Sequence, residues 1–132
     1  MPITIAALRE TAVGERRGAI TPDTAKKLRG RGLTVLLQHD AGAAAGFPDG
    51  AYADTQFADA ATVCAQADLL CCVQPPPADT VQGLRPGSAL IGQLRPHDGA
   101  DRMAALASRG VSAFALELLP RTTRAQAMDV LS

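Results

Sequence analysis

The sequence predicts an α/β fold in which a parallel sheet carries helices on both faces. Apolar runs at Ile3–Leu8 and Leu33–Gln38 flank a helical pattern, which is the arrangement of a βαβ unit. These runs are continuous rather than alternating, as is typical of strands that are covered on both faces. The same succession of apolar run and helical pattern recurs in the second half of the chain.

In the first half, Thr21, Pro22 and Asp23 mark a helix start, with a hydroxyl cap, a proline at the first position and an acid in the first turn. We expect that helix to end near Gly30 or Gly32. His39–Gly50 is predicted to be a flexible loop. Its Gly-x-x-x-Gly spacing matches neither a P-loop nor a dinucleotide fingerprint. Short helical pieces around a stub of strand at Gln56–Phe57 are predicted for Ala51–Ala67.

The second half continues the alternation. The predicted strands are Leu69–Val73, Ala89–Leu94 and Val111–Leu116, with a helix between each strand and the next. The second of these helices, at about Gly99–Arg109, is predicted to face inward with Met103, Leu106 and Ala107. The prolines after Gln74 stop the first of these strands, because proline cannot continue a sheet. The whole chain, residues 1–132, is therefore predicted to be one doubly wound domain of the Rossmann-like or flavodoxin-like class.

Composition excludes several classes of function. The 132 residues carry 13 basic and 13 acidic side chains, so the net charge is zero. The chain therefore has no excess of basic residues of the kind that binds nucleic acid. No apolar run approaches the roughly 20 residues that span a bilayer, and the start of the chain does not resemble a signal peptide. The three cysteines, Cys64, Cys71 and Cys72, are predicted to be small buried hydrophobes in a reducing cytoplasm and not metal ligands.

The two histidines, His39 and His97, each precede an aspartate, but no Gly-x-Ser-x-Gly motif is present to supply an activated serine. We therefore interpret them as loop residues.

The last fourteen residues, 119–132, hold the densest group of polar side chains after an apolar run. Arg121 offers a fork of donors, Gln126 a donor and an acceptor, and Asp129 only acceptors, which suits a small polar heterocycle. A loop after the last strand of a parallel sheet is a common place for ligand chemistry. The alternative is a helix N-terminus in which Asp129 contacts Gln126 or neutralises an arginine such as Arg124.

The sequence of this stretch closely resembles the nicotinamide-contacting loop of proton-translocating NAD(P) transhydrogenases. It reads Pro-Arg-Thr-Thr-Arg-Ala-Gln-Ala-Met-Asp-Val-Leu-Ser. The resemblance is to the NAD(H)-binding subunit, whose N-terminal domain belongs to a family shared with alanine dehydrogenases. It extends to residues 8–10 and 17–22 and recurs at residues 67–75, so in effect it spans the chain.

The resemblance implies an enzyme that transfers hydride directly between NAD(H) and NADP(H). It assigns the nicotinamide carboxamide to Arg121 and Asp129, a contact toward the second nucleotide to Gln126, and further cofactor contacts to Met128 and Ser132. Arg17 matches an arginine that, in alanine dehydrogenases, resembles a clamp for the substrate carboxylate. Those enzymes also carry a lysine where this chain has Cys72 and a histidine near Arg95, which favours the transhydrogenase branch.

The chain contains no Gly-x-Gly-x-x-Gly, so we expect the NAD-binding domain of such a subunit to lie outside these residues. As a fragment it is expected to be inactive alone. The resemblance further implies a dimer, located in the cytoplasm and peripheral to the inner membrane through its membrane and NADP(H)-binding partners. An alanine dehydrogenase-like domain and a non-catalytic remnant are the alternatives.

Overall fold

The computed structural model describes residues 3–10, 14–15, 17–94 and 100–115. Six strands and four helices alternate along it, in the order that the apolar runs predict. They are β1 (Thr4–Ala7), α1 (Pro22–Gly30), β2 (Thr34–Gln38), β3 (Gln56–Ala58), α2 (Ala60–Gln66), β4 (Leu69–Cys71), α3 (Ala78–Gly83), β5 (Ala89–Gly92), α4 (Ala100–Arg109) and β6 (Ser112–Ala115). Two short 3₁₀ turns, Ala43–Ala45 and Asp49–Ala51, lie between β2 and β3.

The strands form one parallel sheet in the order β3-β2-β1-β4-β5-β6. This is the Rossmann order, so the structure decides between the two classes that the sequence left open. The chain leaves β1 toward one edge of the sheet and returns to β4 before it continues toward the other edge. The point at which the order reverses therefore lies between β1 and β4.

Local sequence explains why α1 begins and ends where predicted. The Thr21 hydroxyl accepts a hydrogen bond from the Thr24 amide at 3.2 Å, and Pro22 occupies the first turn. The helix ends at Gly30, and Gly32 follows with a φ of 85° that favours glycine. In α2, Asp59 provides the corresponding cap by accepting the Thr62 amide at 2.8 Å.

The helices are divided unequally between the two faces of the sheet. Helices α2, α3 and α4 pack on one face, where Val63, Leu70, Leu84, Leu90 and Leu106 are buried together. Helix α1 packs on the other face, beside the loop between β2 and β3. We call these the three-helix face and the α1 face.

Burial on the α1 face falls from one side of the sheet to the other. Along one row of paired residues Leu37, Ala7 and Cys71 are buried, Ile91 is half-buried and Phe114 is 48% exposed. Among the described residues, α1 and its neighbouring loop cover β1 and β2 and leave β5 and β6 open on this face.

Two local predictions are corrected by the structure. Ala107 is exposed, whereas Leu106 is buried and Met103 half-buried, because α4 packs over the edge strand β6 and only part of its predicted apolar face meets other elements. Strand β4 ends at Cys71, so Cys72 lies just beyond it and is only half-buried. Helix α3 connects β4 to β5, where the predicted alternation of strands and helices called for a helix.

The loop between β2 and β3 is anchored, contrary to the predicted flexible connection. The Tyr52 hydroxyl, which is buried, donates a 2.7 Å hydrogen bond to the Ile20 carbonyl oxygen before α1. A Cβ atom on Gly42 would collide with that hydroxyl, so glycine is required there for the ring to lie against the backbone. The loop therefore covers part of the α1 face.

Replacing Tyr52 with phenylalanine tests this anchor. We expect Tyr52→Phe to lower the free energy of unfolding by about 1–2 kcal/mol, because the buried Ile20 carbonyl loses its donor. Urea denaturation followed by circular dichroism measures the change. Thr55→Ala is the control, since its exposed hydroxyl bonds to Ala53 within the same loop and should change stability by less than about 0.5 kcal/mol. Equal effects in the two variants would contradict a specific role for Tyr52.

Candidate functional site

The carboxyl ends of β1 and β4 bound a crevice at the reversal of strand order. In open α/β sheets, ligands bind in the crevice outside these strand ends, because the loops that follow them diverge to opposite sides. A cavity of about 120 Å³ occupies this place, bounded by Leu8, Glu10, Gln38, Cys72, Gln74 and Thr80. We call it the switch-point crevice.

Glu10 connects the two sides of the crevice. It follows β1, and its carboxylate accepts the consecutive backbone N–H groups of Val73 and Gln74, beyond β4, at 3.1 and 3.0 Å. Burial raises the pKa of the Glu10 carboxyl, and the bonds from Gln74 and Val73 act in the opposite direction. The carboxylate thus satisfies two amides that the end of β4 leaves without strand partners.

Glu15 also contacts the segment after β4, through the side chain of Gln74. Its carboxylate accepts the Gln74 side-chain amide at 2.9 Å and forms a two-point pair with Arg17, with both N–O distances 3.0 Å. The Arg17 hydrogen bonds, followed by the one from Gln74, lower the pKa of Glu15 to about 2. The Glu15 side chain is 8% accessible, against 64% for Arg17, so the carboxylate is covered and the guanidinium faces outward.

Cys72 occupies the position at which the resemblance predicted a difference from alanine dehydrogenases. Its Sγ lies 3.5 Å from the Ile91 carbonyl oxygen and lines the crevice. A Cβ on Gly92 would collide with both the carbonyl oxygen and the Sγ of Cys72. Glycine at the end of β5 therefore lets the backbone after β4 approach this closely.

Cys64 and Cys71 are the buried hydrophobes that the sequence predicted. Burial raises the pKa of both thiols, that of Cys71 to about 12, so neither is a thiolate at neutral pH. Throughout the residues that the structure describes, no three His, Cys, Asp or Glu side chains are grouped to hold a metal ion. No helix in that part of the chain has the length and apolar character to cross a membrane.

The structure describes only some of the residues that the sequence predicted for the site. Arg121, Gln126, Met128, Asp129 and Ser132 lie outside the described residues, as do Arg95 and His97. His39 lies in a loop, as predicted, where Nδ1 is 3.3 Å from an Asp49 oxygen and the ring stacks on Phe57. Ala115 ends β6 at the same edge of the sheet as the switch-point crevice, with residues 116–120 between it and Arg121.

Sequence reasoning did not identify Glu10, Glu15 and Gln74 as a group. Glu10 and Gln74 each lie three residues beyond the end of an apolar strand. This shared position is the signal that could have paired them, because adjacent parallel strands end at one edge of the sheet. Glu15 carries no such signal. Its contact with Gln74 joins residues 59 positions apart, and it depends on the path of the loop after β1.

The family model for the alanine dehydrogenase/PNT N-terminal domain matches residues 6–132. The chain belongs to this family. It is 37% identical, across 97% of its length, to a component of the NAD(P) transhydrogenase alpha subunit of Rhodospirillum rubrum, of which it covers 35%. An alanine dehydrogenase of Halomonas elongata is 38% identical across 68% of this chain, which covers 25% of that protein.

Among solved structures, the transhydrogenase from Sinorhizobium meliloti superposes with a TM-score of 0.85 and 34% identity. That match covers 96% of this chain and 39% of the other. The chain therefore spans between a quarter and two fifths of the length of these relatives. The predicted family and the Rossmann-like fold are confirmed.

The ionisation of Glu15 predicts how stability depends on pH. Its pKa in the folded chain, about 2, is below the ordinary 4.5, so its contribution is present above pH 4.5 and is lost as the pH falls toward 2. We expect Glu15→Gln to flatten this part of the stability profile. At pH 7 the expected loss is below about 1 kcal/mol, because the partner Arg17 is largely exposed.

Urea denaturation at a series of pH values measures the profile. The control is Gln66→Asn, at an exposed site on α2, which removes no titratable group and should leave the difference between pH 4.5 and pH 2 as in the parent. An unchanged profile in Glu15→Gln would show that the contacts with Arg17 and Gln74 do not favour the charged carboxylate.

Proposed function

We propose that this chain is the N-terminal part of the NAD(H)-binding subunit of a proton-translocating NAD(P) transhydrogenase. The observation that carries the proposal is the identity of 37% with a transhydrogenase alpha subunit over 97% of the chain. The alanine dehydrogenase relative matches a smaller share, 68%. The chain contributes a nicotinamide-contacting loop, and the partner components of the enzyme supply the second dinucleotide and the route for protons.

The proposed reaction asks for positioning rather than acid–base chemistry. A hydride moves between two nicotinamide rings without an accompanying proton, so no general acid or base is needed in the protein. The reaction requires the rings to be held at about 3–3.5 Å with water excluded. Both dinucleotides are substrates here, and the residues of this chain bind and orient them.

The loop 119–132 carries the residues proposed for this task. Arg121 and Asp129 hold the carboxamide of NAD(H) from its acceptor and donor sides, with further contacts from Met128 and Ser132, and Gln126 reaches toward NADP(H). The position of β6 supports this assignment, because this strand precedes the loop in the sequence and ends, at Ala115, on the side of the sheet where α/β folds bind ligands.

An alanine dehydrogenase-like activity is the second candidate, favoured by the Halomonas elongata relative. The half-buried thiol of Cys72 argues against it. By the resemblance those enzymes carry a lysine there, and a thiol packed against Gly92 cannot provide the same positive charge. The proposed transhydrogenase is a dimer in the cytoplasm, attached to the membrane through its partners.

The activity of the longer protein that contains this chain decides between the two candidates. With its membrane and NADP(H)-binding partners present, we expect NADH to reduce an NADP⁺ analogue and alanine to produce no NADH. Alanine-dependent NADH formation without those partners would establish the second candidate instead. The chain alone is expected to show neither activity.

Arg121→Ala tests the carboxamide contact. In the longer protein we expect NADH binding to weaken by about 1.5–3 kcal/mol, the range for a hydrogen bond to a charged group. Equilibrium NADH titration measures the change. The control is Arg31→Ala, an exposed arginine at the end of α1, which should bind NADH as the parent does. If Arg121→Ala binds NADH as tightly as the parent does, Arg121 does not contact the cofactor.

Gln126→Asn tests the bridge between the two nucleotides. We expect hydride transfer, measured by stopped flow, to slow by about tenfold or more, since a small misplacement of the rings has a large effect on rate. NADH affinity should stay within a few-fold of the parent. Gln66→Asn, at an exposed site on α2, is the control for amide shortening. A parallel loss of affinity and rate would place Gln126 in NADH binding alone.

A further inference from the structure

The loops that precede the strands form one continuous surface, because parallel strands all start at the same edge of a sheet. Hydrogen bonds join neighbouring loops. The Ile3 carbonyl oxygen accepts the Thr34 amide at 3.0 Å, and the Asp68 carbonyl oxygen accepts the Ala89 amide at 2.9 Å. This surface lies at the opposite end of the strands from the switch-point crevice. We call it the amino edge, and it comprises residues 3, 31–33, 53–55, 67–68, 84–88 and 109–111.

Basic side chains are concentrated at and beside the amino edge. Lys27 and Arg29 lie in the last turn of α1, and Arg31 follows that helix directly. Arg85 lies in the loop after α3, and Arg109 ends α4. Helices that connect parallel strands run antiparallel to them, so they end at this edge, where the negative end of the helix dipole favours basic residues. We call these five residues the basic patch.

The net charge of zero conceals this patch, because many of the described acidic residues lie at the opposite edge. Helices α1, α3 and α4 each carry an acidic residue in the first turn, at Asp23, Asp79 and Asp101. Asp40 and Asp49 lie in the loop that follows β2. The described part of the chain is therefore positive at one end of the strands and negative at the other, and such a separation of charge orients an incoming partner.

The contacts within the amino edge indicate what the basic patch binds. Arg29 pairs with Asp54 at 3.1 Å, and Arg85 pairs with Asp68, so two of its guanidinium groups already hold carboxylates. Four of its five members are arginines, which protein interfaces favour, whereas lysine is depleted there. The Ile3 side chain, 52% exposed, adds an apolar contact point at the same edge.

We propose that the amino edge is a docking surface for an acidic protein partner, whose carboxylates bond to the basic patch and whose apolar residue covers Ile3. Charge complementarity of this kind steers association and fixes the orientation of the partner. An anionic membrane fits less well, because Asp54 and Asp68 lie among the basic residues and lipid phosphates would repel them. The partner leaves the switch-point crevice open, and the proposal does not rest on the proposed hydride transfer.

The test is titration of the ¹⁵N-labelled chain with a Glu-rich peptide that has a leucine at its centre. The ionic strength is about 0.1 M, at which charges more than about 10 Å away are screened. We expect saturable changes in the amide signals of Gly32, Gly87 and Gly110, at the amino edge, and none in those of Asp40 and Val73. A peptide with glutamine in place of glutamate should not bind. Equal binding of the two peptides, or saturable changes only at the carboxyl edge, would overturn the proposal.

Lys27→Gln combined with Arg31→Gln tests the basic patch. Both side chains are exposed, and we expect the dissociation constant of the Glu-rich peptide to rise by about fivefold or more. The matched control, Ala44→Glu combined with Ala61→Glu, makes the same change in net charge at exposed sites outside the amino edge. It should bind the peptide within about twofold of the parent, since these charges are screened. Equal weakening in the two variants would assign the binding to net charge, and the proposal would be wrong.

Ile3→Ser tests the apolar contact separately. It should weaken binding of the leucine-containing peptide and leave unchanged the binding of a peptide with serine at that position. Vesicles that contain phosphatidylserine distinguish the other anionic surface. We expect the chain not to sediment with them at the same ionic strength. Sedimentation with the vesicles and no binding of the peptide would show that the basic patch meets a membrane, which would overturn the proposal.

Discussion

The pairing of β1 with β4 is the contact on which the rest of the sheet depends. It joins the two halves of the fold, since β2 and β3 extend from β1 and β5 and β6 extend from β4. Carboxylates hold the pair at both ends. At the amino edge Asp68 accepts the Thr4 amide at 2.8 Å, which is the largest influence lowering the Asp68 pKa, and at the carboxyl edge Glu10 accepts Val73 and Gln74.

The two carboxylate contacts, of Asp68 and of Glu10, differ in what they connect. Asp68 also pairs with Arg85 on the surface beside β5, so it ties the start of β1 to the following half of the fold. Glu10 lies in the place where parallel sheets bind ligands, and it bonds to backbone N–H groups beyond β4. The same contact therefore holds the strand ends together at the edge of the sheet where parallel folds bind ligands.

The unequal distribution of helices follows from connectivity. The connection from β3 to β4 must return past β2 and β1, and α2 makes that crossing on the three-helix face, in contact with both strands. Helices α3 and α4 then cover β4 to β6 on the same face. Helix α1 and the loop anchored by Tyr52 cover β1 and β2 on the other face, which accounts for the fall in burial from Leu37 to Phe114.

The sequence by itself determined the fold class, because burial on both faces of a parallel sheet requires continuous apolar strands, and helix ends depend on neighbouring residues such as Thr21 and Gly32. It also determined the family, and the resemblance at residues 119–132 supplied the proposed loop. Only the tertiary structure chose the Rossmann strand order and brought Glu10 to the amides after β4. That contact joins residues more than sixty positions apart, so no local pattern encodes it, and it depends on how the strands pair and where their ends meet.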